Sequence, residues 1–146
     1  MHIRQARLSD LPELLELYAQ LHEGEPAEIT DSALDKWREI LALAGYHVLV
    51  GTVDEHVVSS CVVIVIPNLT HGQRPYAIVE NVITRQDFRG NGCATQLLNA
   101  ARDIARSEHC YKISLTTGSK KESTLNFYRN AGYNQNDKTA FIQWLE

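Results

Sequence analysis

A chain of 146 residues with 44% apolar and 22% charged residues has room for one domain and enough apolar surface to offset the entropy of folding it, which excludes disorder and a second domain of comfortable size. Lysine plus arginine number 14 against 18 aspartate plus glutamate, a net charge of −4, so no basic excess points to nucleic acid. The expectation is one domain over residues 1–146, with no nucleic-acid and no membrane partner.

His2 to Arg7 alternates in part and predicts a first strand. Ser9 or Asp10 stands where a helix cap belongs, with Pro12 in the first turn, where its missing N–H costs nothing. Leu11, Leu14, Leu15, Tyr18 and Leu21 then recur at helical spacing until Gly24-Glu25-Pro26 breaks the run. A second helix starts near Thr30 or Asp31, gathers Leu34, Trp37, Ile40 and Leu41 on one face, and ends before Gly45. Two strand-like runs, Tyr46 to Val53 and Val57 to Ile66, flank the hairpin turn Asp54-Glu55-His56.

Pro67 to Pro75 reads as a polar loop, Tyr76 to Thr84 as a third apolar strand, and Arg85 to Gly92 as a glycine-bearing loop. Ala94, Leu97, Leu98, Ala101, Ile104 and Ala105 mark the clearest helix, whose alanines let it lie close to a sheet. Tyr111, Ile113 and Leu115 alternate with Lys112, Ser114 and Thr116 as a strand. After the loop Gly118 to Lys121, a short helix from Ser123 to Asn130 is stopped by Gly132, and Phe141 to Leu145 reads as a closing strand. The order predicts an α/β (α+β) fold, one sheet flanked by helices.

The first residues, Met1-His2-Ile3-Arg4-Gln5, lack the apolar core of a secretory leader. The longest aliphatic run, Val62 to Ile66 beside Cys61, falls far short of a membrane span. Cys61, Cys93 and Cys110 form no CxxC pair, and the histidines form no HExxH motif. The expectation is a cytoplasmic protein without disulfides and with metal: none.

The segment that carries chemistry is Val82-Ile83-Thr84, then Arg85 to Phe88, then Arg89-Gly90-Asn91-Gly92-Cys93-Ala94 opening into a helix. Strand, glycine loop and helix N-terminus make an anion site: unpaired N–H groups and the helix dipole favour negative charge, and glycine lets the backbone approach phosphate oxygens. A Rossmann fingerprint would need a third glycine at Thr95, and a Walker loop would need Gly-Lys-Ser/Thr; neither is present. A plain strand-to-helix turn remains the alternative at this point.

A second segment, Leu125-Asn126-Phe127-Tyr128-Arg129-Asn130-Ala131-Gly132-Tyr133, supplies the context. Arg89-x-x-Gly92-x-Ala94 together with Phe127-Tyr128-x-x-x-Gly132-Tyr133 closely resembles the GNAT superfamily of acyl-CoA-dependent N-acetyltransferases. The motifs cover Val79 to Tyr133, and the element order matches over nearly the whole chain. Glu80-Asn81, Cys110-Tyr111-Lys112-Ile113 and Asn126-Phe127-Tyr128 are similar to the glucosamine-phosphate acetyltransferase branch.

The resemblance implies a single GNAT-like domain with a mixed, mostly antiparallel sheet whose central strands splay. It implies acetyl-CoA as co-substrate. The pyrophosphate would be held by the backbone of Arg89, Gly90, Asn91, Gly92, Cys93 and Ala94, with the Thr95 hydroxyl. The pantetheine arm would pair with Val82, Ile83 and Thr84 like an added strand, with Asn126 nearby. It also implies a small-molecule amine as acceptor, faced by Tyr18, His22, Arg74, Tyr76 and Asn81, and a homodimer as one option. Departures are Lys121 or its neighbours where an asparagine is common, Ser59 for a glycine after the hairpin turn, and the extra Gly90.

The chemistry sets its own requirements. A free alkyl amine like that of lysine has a pKa of about 10.4 and must lose a proton to attack a thioester. Glu80, on the strand leading into the glycine loop, is the candidate base, directly or through water, with burial needed to lift it from a reference value of about 4.3. Tyr128, at a reference value of about 10, keeps a proton for the leaving thiolate. Backbone N–H groups near Val82 are placed to polarise the carbonyl.

Each choice has a bland counterpart. Tyr128 suits an amphipathic core position, Glu80 a pairing with Arg74 or Lys112, Asn81 and Asn126 the surface, and Arg85 a solvated loop. Cys93 at a helix start is able to carry an acyl group but fits better as a small residue, so direct transfer is expected. A protein N-terminal or lysine acetyltransferase and a non-catalytic acyl-CoA-binding module are the alternatives.

Overall fold

In a computed structural model that describes residues 1–21 and 24–145, the central feature is a β-hairpin turned sharply at Asp54 and Glu55. Both residues have positive φ (48° and 68°), as a two-residue hairpin loop matched to the strand twist demands. The hairpin joins β2 (Tyr46–Val53) to β3 (His56–Ile66). The sheet runs β1-β2-β3-β4-β5, with β1 at His2–Gln5, β4 at Tyr76–Thr84 and β5 at Ile113–Leu115. Every neighbouring pair is antiparallel except β4 and β5, which are parallel.

Nearly all of β3 is buried, because its two faces feed two cores. On one side Val48, Val50, Val57 and Val62 pack with Leu14 and Leu17 of α1 (Leu11–Ala19) and Trp37 of α2 (Asp31–Ala42). On the other, Leu49, Cys61, Val63, Ala77 and Val79 pack with Leu97, Leu98, Ala101 and Ala105 of α4 (Cys93–Ser107), and Phe127 and Tyr128 of α5 (Glu122–Asn130) lie against that core. An aliphatic run reads as continuous rather than alternating when helices cover both faces of its strand. Between β3 and β4, Thr70–Gln73 forms a single distorted turn, α3, with His71 and Gly72 at positive φ.

The helix caps follow the sequence at one end and depart from it at another. Thr30 caps α2, its hydroxyl accepting the Ala33 N–H at 3.1 Å. Asp10 stands before α1 as expected but gives no side-chain cap; its carboxylate turns to Arg4 (2.6 and 2.9 Å) and to the Arg7 N–H (2.6 Å). Charge-assisted bonds to a guanidinium outweigh one N–H at a helix end. Leu17, which falls outside the apolar stripe drawn from the sequence, is buried beside Leu14.

Two strand expectations change. Alternation predicts a strand from Tyr111, and ladder bonds do start there (Tyr111 N–H to Pro75 C=O and Ala77 N–H to Lys112 C=O, each 2.9 Å), but regular strand is kept only over Ile113–Leu115. Phe141 to Leu145 is not a strand: the segment has no regular secondary structure and its apolar side chains are exposed. It is apolar on both alternating faces, Phe141 and Leu145 on one and Ile142 and Trp144 on the other.

Candidate functional site

The site grows from the way β4 leaves its partners. Ala77, Ile78 and Val79 pair with Ile113, Ser114 and Leu115 of β5, and the pairing stops there. On its other edge β4 stays bound to β3 through Ser60↔Ile83 and Ser59↔Thr84. The edge of Glu80 to Thr84 that faces β5 is therefore open, so β4 and β5 splay and leave a wedge.

A bulge begins the wedge. Asn81 sits at φ 52°, and the β3–β4 register shifts between Ser60 and Val62, so that Asn81 and Val82 together face Cys61. Asparagine tolerates the left-handed region better than other non-glycine residues, and a bulge of this kind twists a strand and re-aims its side chains. Asn81 thus has a backbone role. Ser59 ties the end of β4 back to β3, its hydroxyl donating to the Ile83 C=O at 2.9 Å and lying 2.8 Å from the Thr84 hydroxyl. That bond explains a serine where a glycine is common.

Beyond Thr84 the chain makes a 3-10 turn (Gln86–Phe88) and enters α4. Gly92 is the residue before the helix, left-handed at φ 74°, and no side chain caps the first turn. The first intrahelical bond from this point is Gln96 N–H to Gly92 C=O at 3.0 Å, which leaves the N–H groups of Cys93, Ala94 and Thr95 free of helical partners. A side chain at Gly90 or Gly92 would meet nothing within 4 Å, so the loop that leads to these amides is unobstructed at both glycines. Arg89 braces the loop by donating to the Thr84 C=O at 3.1 Å, and the Asn91 amide donates to the Phe88 C=O at 3.3 Å. The arrangement fits an anion as large as a pyrophosphate. Cys93 is buried, its sulfur toward the Phe88 C=O, and Arg85 is held by Asp87 in a two-point ion pair and lies over the Phe88 ring.

Glu80 and Tyr128 flank the wedge from opposite faces of the sheet. Glu80 is directly across from Val62, which belongs to the α1/α2 core, whereas Tyr128 lies against the α4/α5 core. Tyr128 touches Phe127 and meets Tyr133 edge-on, with ring centroids 4.9 and 6.3 Å away. Burial raises its hydroxyl above the usual tyrosine range, and burial pushes Tyr133 up to about 12. Glu80 is exposed, so the burial anticipated for a basic carboxylate is absent, and neither Arg74 nor Lys112 pairs with it among the described residues.

Tyr46 is the residue the sequence did not flag. It opens β2 on the α1/α2 face, and burial first, then the Glu80 charge, raises its hydroxyl. Tyr18 of α1 reaches the same region beside Ser60, raised chiefly by burial and further by Tyr46. Tyr18, Tyr46 and Glu80 thus form one polar group on the face away from the glycine loop. A two-residue count from the hairpin turn would find Tyr46, but the bulge between Gly51 and Thr52 spoils that count.

Other expected residues lie apart. Tyr76 starts β4, four residues and about 13 Å before Glu80 at strand rise. It lies under the Lys112 ammonium and edge-on to Tyr111. Arg74 donates to the His109 and Cys110 carbonyls at 3.1 and 3.0 Å and fastens its loop to the end of α4. Asn126 is exposed, its carbonyl taken by Arg129. His22 lies outside the described residues.

The comparisons place the chain in one family. The model of the acetyltransferase (GNAT) family matches residues 11–133. A glucosamine 6-phosphate N-acetyltransferase of Trypanosoma brucei brucei is 28% identical over 142 residues, 94% of this chain and 92% of the relative. A solved structure from Agrobacterium tumefaciens str. C58, to which an acetyltransferase role is ascribed, superposes with a TM-score of 0.92 at 34% identity, covering 99% of this chain and 100% of that one. The glucosamine-6-phosphate N-acetyltransferase of Arabidopsis thaliana shares the fold with a TM-score of 0.86 at 20% identity, over 99% and 98% of the two chains.

Proposed function

This chain belongs to the acetyltransferase (GNAT) family, and on that premise we propose that it transfers acetyl from acetyl-CoA directly to a primary amine of a small molecule in the cytoplasm. The observation that carries the reading is the open edge of β4 beyond Val79, which leads through the turn and glycine loop after Thr84 to the uncapped start of α4. An extended pantetheine arm needs such an edge, and a pyrophosphate needs such a helix start. When bound, acetyl-CoA supplies a thioester, an activated acyl group with a good leaving thiolate.

The residues divide the work by face. The amides of Gly92 to Thr95 hold the anion, and Val82 to Thr84 offer main-chain bonds to the arm. Asn81, through its bulge, re-aims β4 at the point where the wedge opens. On the α1/α2 face Glu80, exposed and without the lift of burial, passes the amine's proton on to water as the nitrogen–carbonyl bond forms. Tyr46 and Tyr18 line the same face and orient the acceptor. On the α4/α5 face Tyr128, kept protonated by burial, gives its proton to the sulfur as the carbon–sulfur bond breaks. Three free thiols, Cys61, Cys93 and Cys110, suit a reducing compartment. Kinship with a glucosamine 6-phosphate enzyme over most of both chains makes an amino sugar phosphate the first acceptor to try.

The test mixes the protein with acetyl-CoA and a panel of amines, amino sugar phosphates included, and follows free thiol. Amine-dependent release is expected, with CoA binding seen independently by calorimetry. No CoA binding overturns the site; binding without turnover on any amine overturns the transferase reading in favour of a non-catalytic acyl-CoA module.

A further inference from the structure

Tyr128 stands where a helix is least able to hold it. The α5 helix has 9 residues, a length at which a helix is marginal by itself. Tyr128 lies in its last turn, where helices fray. The chain after α5 supplies what the helix lacks. Ala131 ends the helix, and Gly132 follows at φ 94°, in the left-handed region that glycine enters without a side chain to clash. The Gly132 N–H donates to the Arg129 C=O at 2.9 Å, and the Tyr133 N–H donates to the Tyr128 C=O at 3.1 Å. These two bonds are a Schellman clasp, and the residue fastened at its inner end is Tyr128 itself. Such clasps bring the side chains at their two ends together. Here those side chains are two tyrosines, edge-on with centroids 6.3 Å and planes 85° apart, a favoured arrangement for a pair of rings.

We propose that Tyr133 is a positioning residue of the reaction, acting through Tyr128: the clasp and the edge contact hold the Tyr128 ring in the orientation from which its hydroxyl serves the leaving sulfur. The inference rests on the role given to Tyr128 above. Tyr133 is the last side chain that the core holds. It packs against the α4/α5 core, and every described residue from 134 to 145 is exposed, so nothing further along the chain can take over the task. Its hydroxyl is buried yet has no hydrogen-bond partner among the described residues. Ring packing and the main-chain bond, not a polar contact, therefore set where Tyr133 sits, and phenylalanine can do the same. Rate depends steeply on such placement, since a shift of about 1 Å at a reacting group costs up to about 100-fold. The clasp touches neither the amides at the start of α4 nor the edge of Val82 to Thr84. Losing it should therefore lower kcat and leave CoA binding as it is.

A double-mutant cycle tests the link between the two tyrosines. The proteins are wild type, Tyr133→Leu, Tyr133→Phe, Tyr128→Phe and Tyr128→Phe with Tyr133→Leu. Calorimetry with CoA gives affinity and counts the folded sites, and kcat is taken per site so counted. Tyr133→Leu is expected to lower kcat about tenfold with CoA affinity unchanged. Tyr133→Phe, which keeps the ring, is expected to restore the rate, and Tyr133→Leu should have no further effect once Tyr128 is phenylalanine. Four results overturn the inference while leaving Tyr128 its role. They are an unchanged kcat in Tyr133→Leu, an equal loss in Tyr133→Phe, a loss of CoA affinity in step with kcat, and the same loss of kcat in the Tyr128→Phe background. The failure of the reading beneath it looks different: Tyr128→Phe at the wild-type rate, or no amine-dependent turnover at all, removes the role of Tyr128 and this inference with it.

Discussion

The sheet has two edges, and they are finished in opposite ways. β1 is paired with β2 along its whole length and held further by side chains: Arg4 holds Asp10 at the start of α1, and Gln5 bonds His47 of β2 at 3.0 Å. β5 is paired with β4 only over Ala77, Ile78 and Val79, and beyond α5 residues 141–145 have no regular secondary structure and exposed side chains. Packing and charge close the first edge within one chain. The second is left open, and the open edge holds the wedge with the groups to which the proposed function assigns the chemistry. Binding and catalysis draw on the less consolidated part of a fold, while the rest keeps it positioned.

The largest effect should therefore fall on the β1 side. Leu14, fully buried under the sheet, should cost about 2–5 kcal/mol when changed to alanine, read as a shift in urea midpoint at constant slope. Leu115→Ala on the half-buried β5 should cost clearly less. Equal costs would erase the distinction between the edges.

Tyr128→Phe tests the functional side. The fold should hold, since the ring keeps its contacts with Phe127 and Tyr133, while kcat falls about 100-fold, equivalent to roughly 2.7 kcal/mol. CoA affinity should not move. Because burial raises the Tyr128 hydroxyl, the wild-type rate should lose no proton-donor function until the pH exceeds the ordinary tyrosine value of about 10. Unchanged turnover in the variant would remove Tyr128 from the chemistry.

How far these regions could be read from sequence follows the range of their signals. The glycine loop and α4 are legible because Gly92 and the alanine stripe act within a few residues. The β4 run is legible because Tyr76, Ala77, Ile78 and Val79 are contiguous and Val82 and Ile83 resume the pattern. The Tyr46–Glu80 approach is not, since it depends on the register of three strands and on bulges at Gly51/Thr52 and Asn81 that shift it. Asp10 looked like a cap because Arg4, six residues away on a strand, gives no local sign of reaching it. The alternation of residues 141–145 reads as a strand, but no strand forms there among the described residues.

The pin on the β1 edge predicts a pH dependence. The hydrogen bonds from Arg4 lower the Asp10 pKa, helped by the Arg7 N–H and opposed by burial. A carboxylate depressed in the native state binds more protons when unfolded, so stability rises with pH across that interval. Its contribution is complete above about pH 4, the unfolded aspartate value, and disappears as the pH falls through the native value. Asp10→Asn should cost about 1–3 kcal/mol near neutral pH, the worth of hydrogen bonds to a charged group. The gap to wild type in melting temperature should narrow as the pH drops below 4. A gap that stays constant down to pH 2 would mean the pair is packing rather than charge.

The smallest effect belongs to the glycine loop on the open side. Gly92 needs its φ of 74° but no empty space, since an added Cβ would meet nothing within 4 Å. Gly92→Ala should therefore pay only the left-handed penalty, about 1 kcal/mol, without a clash. The loop is exposed and outside both cores, so that strain can relax by turning the loop rather than by unfolding the domain. Turning it misaligns the free amides at the start of α4. The prediction is a melting temperature close to wild type with CoA bound about fivefold more weakly by calorimetry, and kcat at saturating acetyl-CoA unchanged. Lost stability with intact CoA binding would mean that Gly92 serves the helix start alone and that the anion sits elsewhere along the wedge.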